Sequence, residues 1–178
     1  MTHEDVRLLP QEPSLISTPR PASRPLLAIQ PSPVSLLVVQ AALTWTLVGL
    51  ILTVQLVHYP LFSHVGAGYA TYQQEHVRRI TWLVAPLMLA ELATGAALAL
   101  HPPPFVPVAS TWVGLALLAL IWLSTALIQS PTHRHLATGF DPAWHSWLLT
   151  TNWARTLLWV LRGVLVGWWV LQAGVHQA

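Results

Sequence analysis

This 178-residue chain predicts an all-α fold: a polytopic membrane protein whose core is a four-transmembrane-helix bundle. Three observations predict it. Only 8% of residues are Asp, Glu, Lys or Arg, where an average soluble domain has about 25%. Hydrophobic residues make up 54%, and a chain this short has too little interior to bury that much apolar surface from water. The apolar residues also fall into four long runs, each near the roughly 20 residues that cross a hydrocarbon layer about 30 Å thick. In lipid such runs must be helices, because every backbone polar group needs an internal partner. A soluble bundle of buried helices is the alternative architecture.

Residues 1–33 are rich in Pro, with Ser, Gln, Arg7, Arg20 and Arg24, which is the composition of a disordered arm. They lack the basic start, apolar core and small-residue cleavage site of a secretory signal. The transmembrane domain is read as residues 34–172. Val34–Val57 is an uncharged first span, after which "HYPLF" places Pro60 where the helix should stop. The following "GAGYATYQQEHVRR" reads as a short interfacial helix between spans one and two, with Tyr69, Tyr72, His76 and Arg79 on one face. Ile80–Leu100, the second span, contains Pro86 and Glu91. The short connection "HPPPFVPVA" leads to an uncharged third span, Ser110–Gln129. Ser130–His145 connects it to the fourth, Trp147–Leu171, which carries Arg155 and Arg162 and leaves a short tail, 173–178. Trp82, Trp112, Trp147, Trp168 and Trp169 fall near span ends, as an aromatic belt would place them. No internal repeat stands out.

Four spans put both termini on one side and the first and third connections together on the other, here termed the loop face. Arg78, Arg79 and Arg134 on those connections favour a cytoplasmic loop face, against Arg20 and Arg24 ahead of span one. The expected location is a bacterial cytoplasmic membrane, loops inside and termini outside.

Several function classes are excluded. There is no Cys, hence no disulfide framework, thiolate catalysis or Cys-ligated metal. The few, scattered arginines make no nucleic-acid surface. No phosphate loop, nucleotide-binding glycine fingerprint, HExxH or Ser–His–Asp signature is present. What remains is the set of polar groups within or near the spans. Glu91 lies about 16 Å from the loop-face end of span two and Arg162 about 18 Å down span four. An unpaired Arg at that depth costs about 2.5–3.5 kcal/mol on insertion scales. A Glu91–Arg162 ion pair is therefore expected, with spans two and four in contact. Arg155, two turns before Arg162, shares its face about 10 Å nearer the loops. Asn152 lies one turn above Arg155. Both are candidates for a cavity opening on the loop face; the alternative for Arg155 is to snorkel to the boundary.

No histidine falls within the four predicted spans, which counts against a bilayer-embedded bis-His haem. His58, His64, His133, His135 and His145 lie on loop-face connections, and His76 approaches span two. Neutral imidazoles suit proton transfer, so His58, His76 and His133 join Asn152 and Arg155 as candidate catalytic residues. His135 and His145 are candidates for an additional or metal site, since metal binding needs three or four converging ligands. The identity of any cofactor is left open. Glu75 and Asp141 read as solvated loop charges.

"VHYPLF" after span one, "PTHRHLATG" after span three and "NWARTLLWVLR" in span four together resemble the anthrone-oxygenase-like group of small four-helix membrane proteins. The resemblance covers roughly residues 35–172. In that group a Pro follows the first helix, a Pro-x-Asn-like motif the third, and a Trp…Arg-Thr element starts the fourth; His133 stands here where the group more often has Asn. The resemblance implies cofactor-independent oxidation of a polyphenolic ring by dioxygen, with His58, His133, Asn152 and Arg155 at the site. Three readings follow: an oxygenase-like enzyme for a small amphipathic or aromatic molecule, a transport or binding module for an anion or lipid headgroup, and a structural or assembly subunit. The expected partners are the bilayer and a small amphipathic molecule. Association with further copies or within a membrane complex is left open.

Overall fold

A computed structural model describes residues 32–177 of the chain. The expected arm, up to residue 31, lies outside the described residues. The fold is all-helical: α1 (Pro33–Thr53), α2 (Tyr69–Leu100), α3 (Val108–Ser124), α4 (Ser130–Leu136) and α5 (Pro142–Gln177). Ser32 caps α1, its Oγ accepting from the Ser35 amide at 3.0 Å, and Pro33 opens the helix where its missing N–H costs nothing. Four helical stretches are long and apolar enough to cross a membrane: Pro33–His64, Gly66–Leu100, Val108–Leu136 and Pro142–His176. Their outer faces carry large apolar side chains in quantity, among them Leu56, Leu89, Leu127, Leu161 and Leu171, each more than half exposed. A soluble monomer does not leave so continuous an apolar surface uncovered. The chain has the architecture of a multi-pass membrane protein.

Three boundaries differ from the sequence reading, for one reason: the helices continue where proline or polarity suggested an end. Pro60 does not terminate the first span. The helix widens into a π turn over Val54–His58, with Tyr59 N donating to Val54 O at 2.8 Å, and continues as a 3₁₀ turn over Pro60–His64. The same device precedes Pro131: a π turn over Thr125–Gln129, with Ser130 N on Thr125 O, joins α3 to α4. A proline cannot supply an i→i−4 bond and its ring crowds the carbonyl four residues back. The extra residue of a π turn just before it removes that conflict without breaking the helix. Second, the expected interfacial helix is not a separate element. Its residues form the 3₁₀ turn Gly66–Gly68 and the first turns of α2, which is 32 residues long. At 1.5 Å per residue α2 measures about 48 Å, well beyond a hydrocarbon layer of about 30 Å. Third, the tail is helical through Gln177. As a result His58, His133 and His145 lie on helical segments, not on loops.

Each helix packs on its chain neighbours, and α5 closes the ring on α1. Spans two and four are therefore diagonal and not packed together as expected; they meet only through side chains reaching across the centre. The core has two apolar clusters. The loop-side cluster includes Leu47, Ile51, Tyr59, Met88, Leu118 and Trp159. The termini-side cluster includes Leu37, Leu98, Val106, Val166 and Trp169. Between them on each of α1, α2, α3 and α5 sits a polar or glycine residue: Gln40 and Thr44, Glu91, Gly114, Arg162. Trp169, expected at the lipid boundary, is buried instead, its indole N–H donating to Ser110 Oγ at 3.0 Å.

Candidate functional site

The buried polar groups form two tiers. In the lower tier Arg162 Nε donates to Glu91 Oε1 at 2.6 Å. The same carboxylate oxygen accepts from Gln40 Nε2 and Thr44 Oγ1, each at 2.7 Å. Arg162 Nη1 donates to the Gly114 carbonyl. Both charged side chains are fully buried. Glycines make the room: a Cβ on Gly95 would stand 2.8 Å from Arg162 Nη2, and one on Gly114 3.1 Å from Nη1 and 2.8 Å from the Trp169 ring. A buried charge needs an opposite one, and this tier supplies it; of the guanidinium's nitrogens Nε and Nη1 are bonded, while Nη2 and the second Glu91 oxygen have no partner among the described residues.

The upper tier surrounds a cavity of about 310 Å³ in the loop-side half of the bundle. All four spans line it. Leu47, Ile51, Val84, Met88, Trp122 and Trp159 make apolar walls; Tyr59, Gln129, His133 and Arg155 provide its polar groups. Exposed Thr81 of α2 and Arg134 of α4 also line it, marking a mouth between those two helices. Arg155 is only 9% exposed, yet among the described residues it has no carboxylate partner and its Nε makes no hydrogen bond. Its guanidinium lies beside the Tyr59 hydroxyl. Tyr59 Oη is 3.0 Å from His133 Nε2, and His133 Nδ1 accepts from Gln73 Nε2 at 2.8 Å. With Nδ1 occupied as acceptor, neutral His133 carries its proton on Nε2 and donates to Tyr59. The Tyr59 hydrogen is then free to turn into the cavity. The π turn before Pro60 brings this group inward, and the one before Pro131 does the same for Gln129.

A second, more open groove of about 630 Å³ lies between α1 and α2. His58, Tyr72, His76 and Arg79 line its loop-face end, and Leu50, Val57, Ile80 and Leu83 its apolar length. His58 Nε2 and His76 Nδ1 share a hydrogen bond of 2.9 Å, with His76 and His133 ring centroids 5.6 Å apart. Leu50, Val54 and Ile80 border both spaces, so the histidine pair stands at the wall between groove and cavity.

The structure thus brings His133 and Arg155 together at the cavity and places His58 and His76 on the groove beside it. Asn152 is elsewhere: its Nδ2 donates to Gln55 Oε1 at 2.6 Å, and Gln55 Nε2 donates to the Leu149 carbonyl at 3.1 Å. It ties span four to span one and does not line the cavity. His145 binds the Tyr59 carbonyl at 2.8 Å, which fixes the π turn's exit. His135 lies 3.5 Å from Asp141 and stacks on Trp144. Because these two are engaged separately, they share no ligand set; among the described residues no three His, Asp or Glu side chains converge as a metal site requires. Exposed His64 bonds locally to Ser63. Asp141 is not merely solvated: its Oδ1 accepts from the Ala143 and Trp144 amides and caps α5. Those bonds, Trp144's foremost, then Ala143's and the contact with His135, hold its carboxyl below the usual range.

Sequence reasoning missed Gln40, Thr44 and Gln129. The available signal was weak: a glutamine or threonine in an otherwise apolar, uncharged span has few destinations besides the bundle interior.

Comparison of the chain with protein-family models, with curated proteins and with solved structures returns no match.

Proposed function

We propose that the loop-side cavity binds a small, largely apolar molecule through an anionic oxygen, and that it acts as an enzyme-like site for that molecule. The observation that carries this reading is Arg155: a guanidinium buried among apolar walls with no counter-charge of its own among the described residues. Its neighbour Arg162, at comparable burial, has Glu91. A cation held in such a place without an internal partner suits an anion supplied from outside.

The donors converge on one task. Gln73 donates to His133, His133 to Tyr59, and Tyr59 with Arg155 to the bound oxygen. Preorganised donors in a dry site stabilise an oxyanion strongly. A phenol or enol that has given up its proton to the medium is held there as its phenolate or enolate, with Tyr59 and Arg155 donating to the anionic oxygen and His133 donating to Tyr59. Asn152 and Gln55 act by fixing span four against span one. The cavity volume suits a molecule of one or two rings. An electron-rich phenolate or enolate is the form of such a ring that dioxygen attacks, in keeping with the resemblance to the anthrone-oxygenase-like group.

Titrating the purified protein in lipid nanodiscs with a simple fluorescent phenol such as naphthol tests the reading. Arg155→Gln should weaken binding by at least about tenfold, the worth of one charge-assisted hydrogen bond. Its thermal midpoint should move little, because no partner is orphaned. Equal affinity in parent and variant overturns the reading.

A further inference from the structure

Arg155 and Tyr59 account for one end of the cavity and leave three polar groups unexplained. Gln129, only 2% exposed, lines the same space, and among the described residues neither its amide nitrogen nor its amide oxygen has a hydrogen-bond partner. The Trp122 indole N–H, also on the cavity wall, is unpartnered as well. A buried amide missing all its bonds is costly and rare. The π turn Thr125–Gln129 positions this amide, and such turns recur at functional sites. The balance of groups is also one-sided. Arg155 and Trp122 can only donate, Tyr59 has a hydrogen to give, and among the described residues no Asp or Glu lines the space. A cationic or donor-rich molecule would find few acceptors there.

We infer that the molecule bound in this cavity carries two oxygens on one rigid apolar frame: an anionic one for Arg155 and Tyr59, and a second, neutral hydroxyl or carbonyl for Gln129 and Trp122. This rests on the reading of the cavity as an oxyanion site and narrows the ligand to dioxygenated rings. Gln129 is then the residue that sets specificity. Its amide meets a carbonyl through Nε2 and a hydroxyl through either atom, while a ring with one oxygen leaves it buried and unanswered. A site built to bond a second oxygen discriminates sharply against the analogue that lacks it.

The test compares naphthalene, naphthol and the naphthalenediols with the second hydroxyl at successive ring positions, by titration of the nanodisc protein. At least one diol should bind the parent about tenfold or more tighter than naphthol. In Gln129→Leu that advantage should vanish while the variant still binds naphthol, which also shows that it is folded. If Gln129→Leu does not fold, Gln129→Met, unbranched like glutamine, carries the same comparison. Naphthol binding with no diol advantage, or a diol advantage that survives the substitution, overturns this inference and leaves the oxyanion reading standing. Failure of both naphthol and the diols to bind better than naphthalene overturns both.

Discussion

Arg155 and Arg162 stand two turns apart on one face of α5, and their neighbours give them different duties. Arg162 is enclosed by Glu91, the Gly114 carbonyl and the space that Gly95 leaves. Removing one member of a buried, hydrogen-bonded pair strands the other, at a cost of about 3–5 kcal/mol. Glu91→Gln and Arg162→Met should each lower the unfolding free energy in detergent micelles by that order. The double variant should lose clearly less than the sum; an additive double variant would show that the two charges do not depend on each other. Counting residues from the span ends puts both charges at one depth, so their meeting follows from hydropathy alone. Gln40, Thr44 and the two glycines do not, because isolated small or neutral polar residues in an apolar run form no pattern. Gln129 was hidden for the same reason, and its lack of partners becomes visible only in three dimensions.

At the level of elements, the span positions follow from four apolar runs, but their ends do not. Whether a helix survives a proline depends on the turn before it. Both "VQLVHYP" and "TALIQSP" take the π solution, held at the first by His145 from another helix. No local propensity reports such long-range support. The start of α5 illustrates the opposite case, a local device with a measurable consequence. Asp141 caps it through two amides, and its carboxyl is held below the ordinary value of about 3.9. A depressed folded-state pKa stabilises fully above the ordinary value and ceases to as pH falls through the depressed one. Hydrogen-exchange protection at Ala143 and Trp144, normalised to unstructured amides, should therefore fall below about pH 3.9. Asp141→Asn, which keeps an acceptor at every pH, should flatten that dependence. Unchanged acid sensitivity in the Asn variant would place its origin elsewhere.

For the whole molecule, composition announces the membrane bundle, while the ring order of the helices comes only from packing. That order makes spans two and four diagonal and leaves a mouth between α2 and α4 and an open groove between α1 and α2. Both border surfaces rich in exposed apolar side chains. The apolar ligand of the proposed function partitions into the bilayer, so its occupancy of the cavity should follow its mole fraction in lipid. With total protein and naphthol fixed, adding more lipid as protein-free vesicles should reduce occupancy in proportion to the lipid added. Occupancy indifferent to added lipid would show that the bilayer holds no significant share of the ligand.

The Glu91–Arg162 tier has one more consequence. It separates the loop-side apolar cluster, where the cavity lies, from the termini-side cluster around Leu37, Leu98 and Val166. Bilayers differ in thickness by several ångströms, and a span that is too long or too short costs a fraction of a kcal/mol per ångström. In this bundle the adjustment can be made entirely beneath the ion pair, by lengthening or shortening helices around Leu37, Leu98 and Val166. None of those residues lines the cavity, so changing span length there leaves its lining residues untouched.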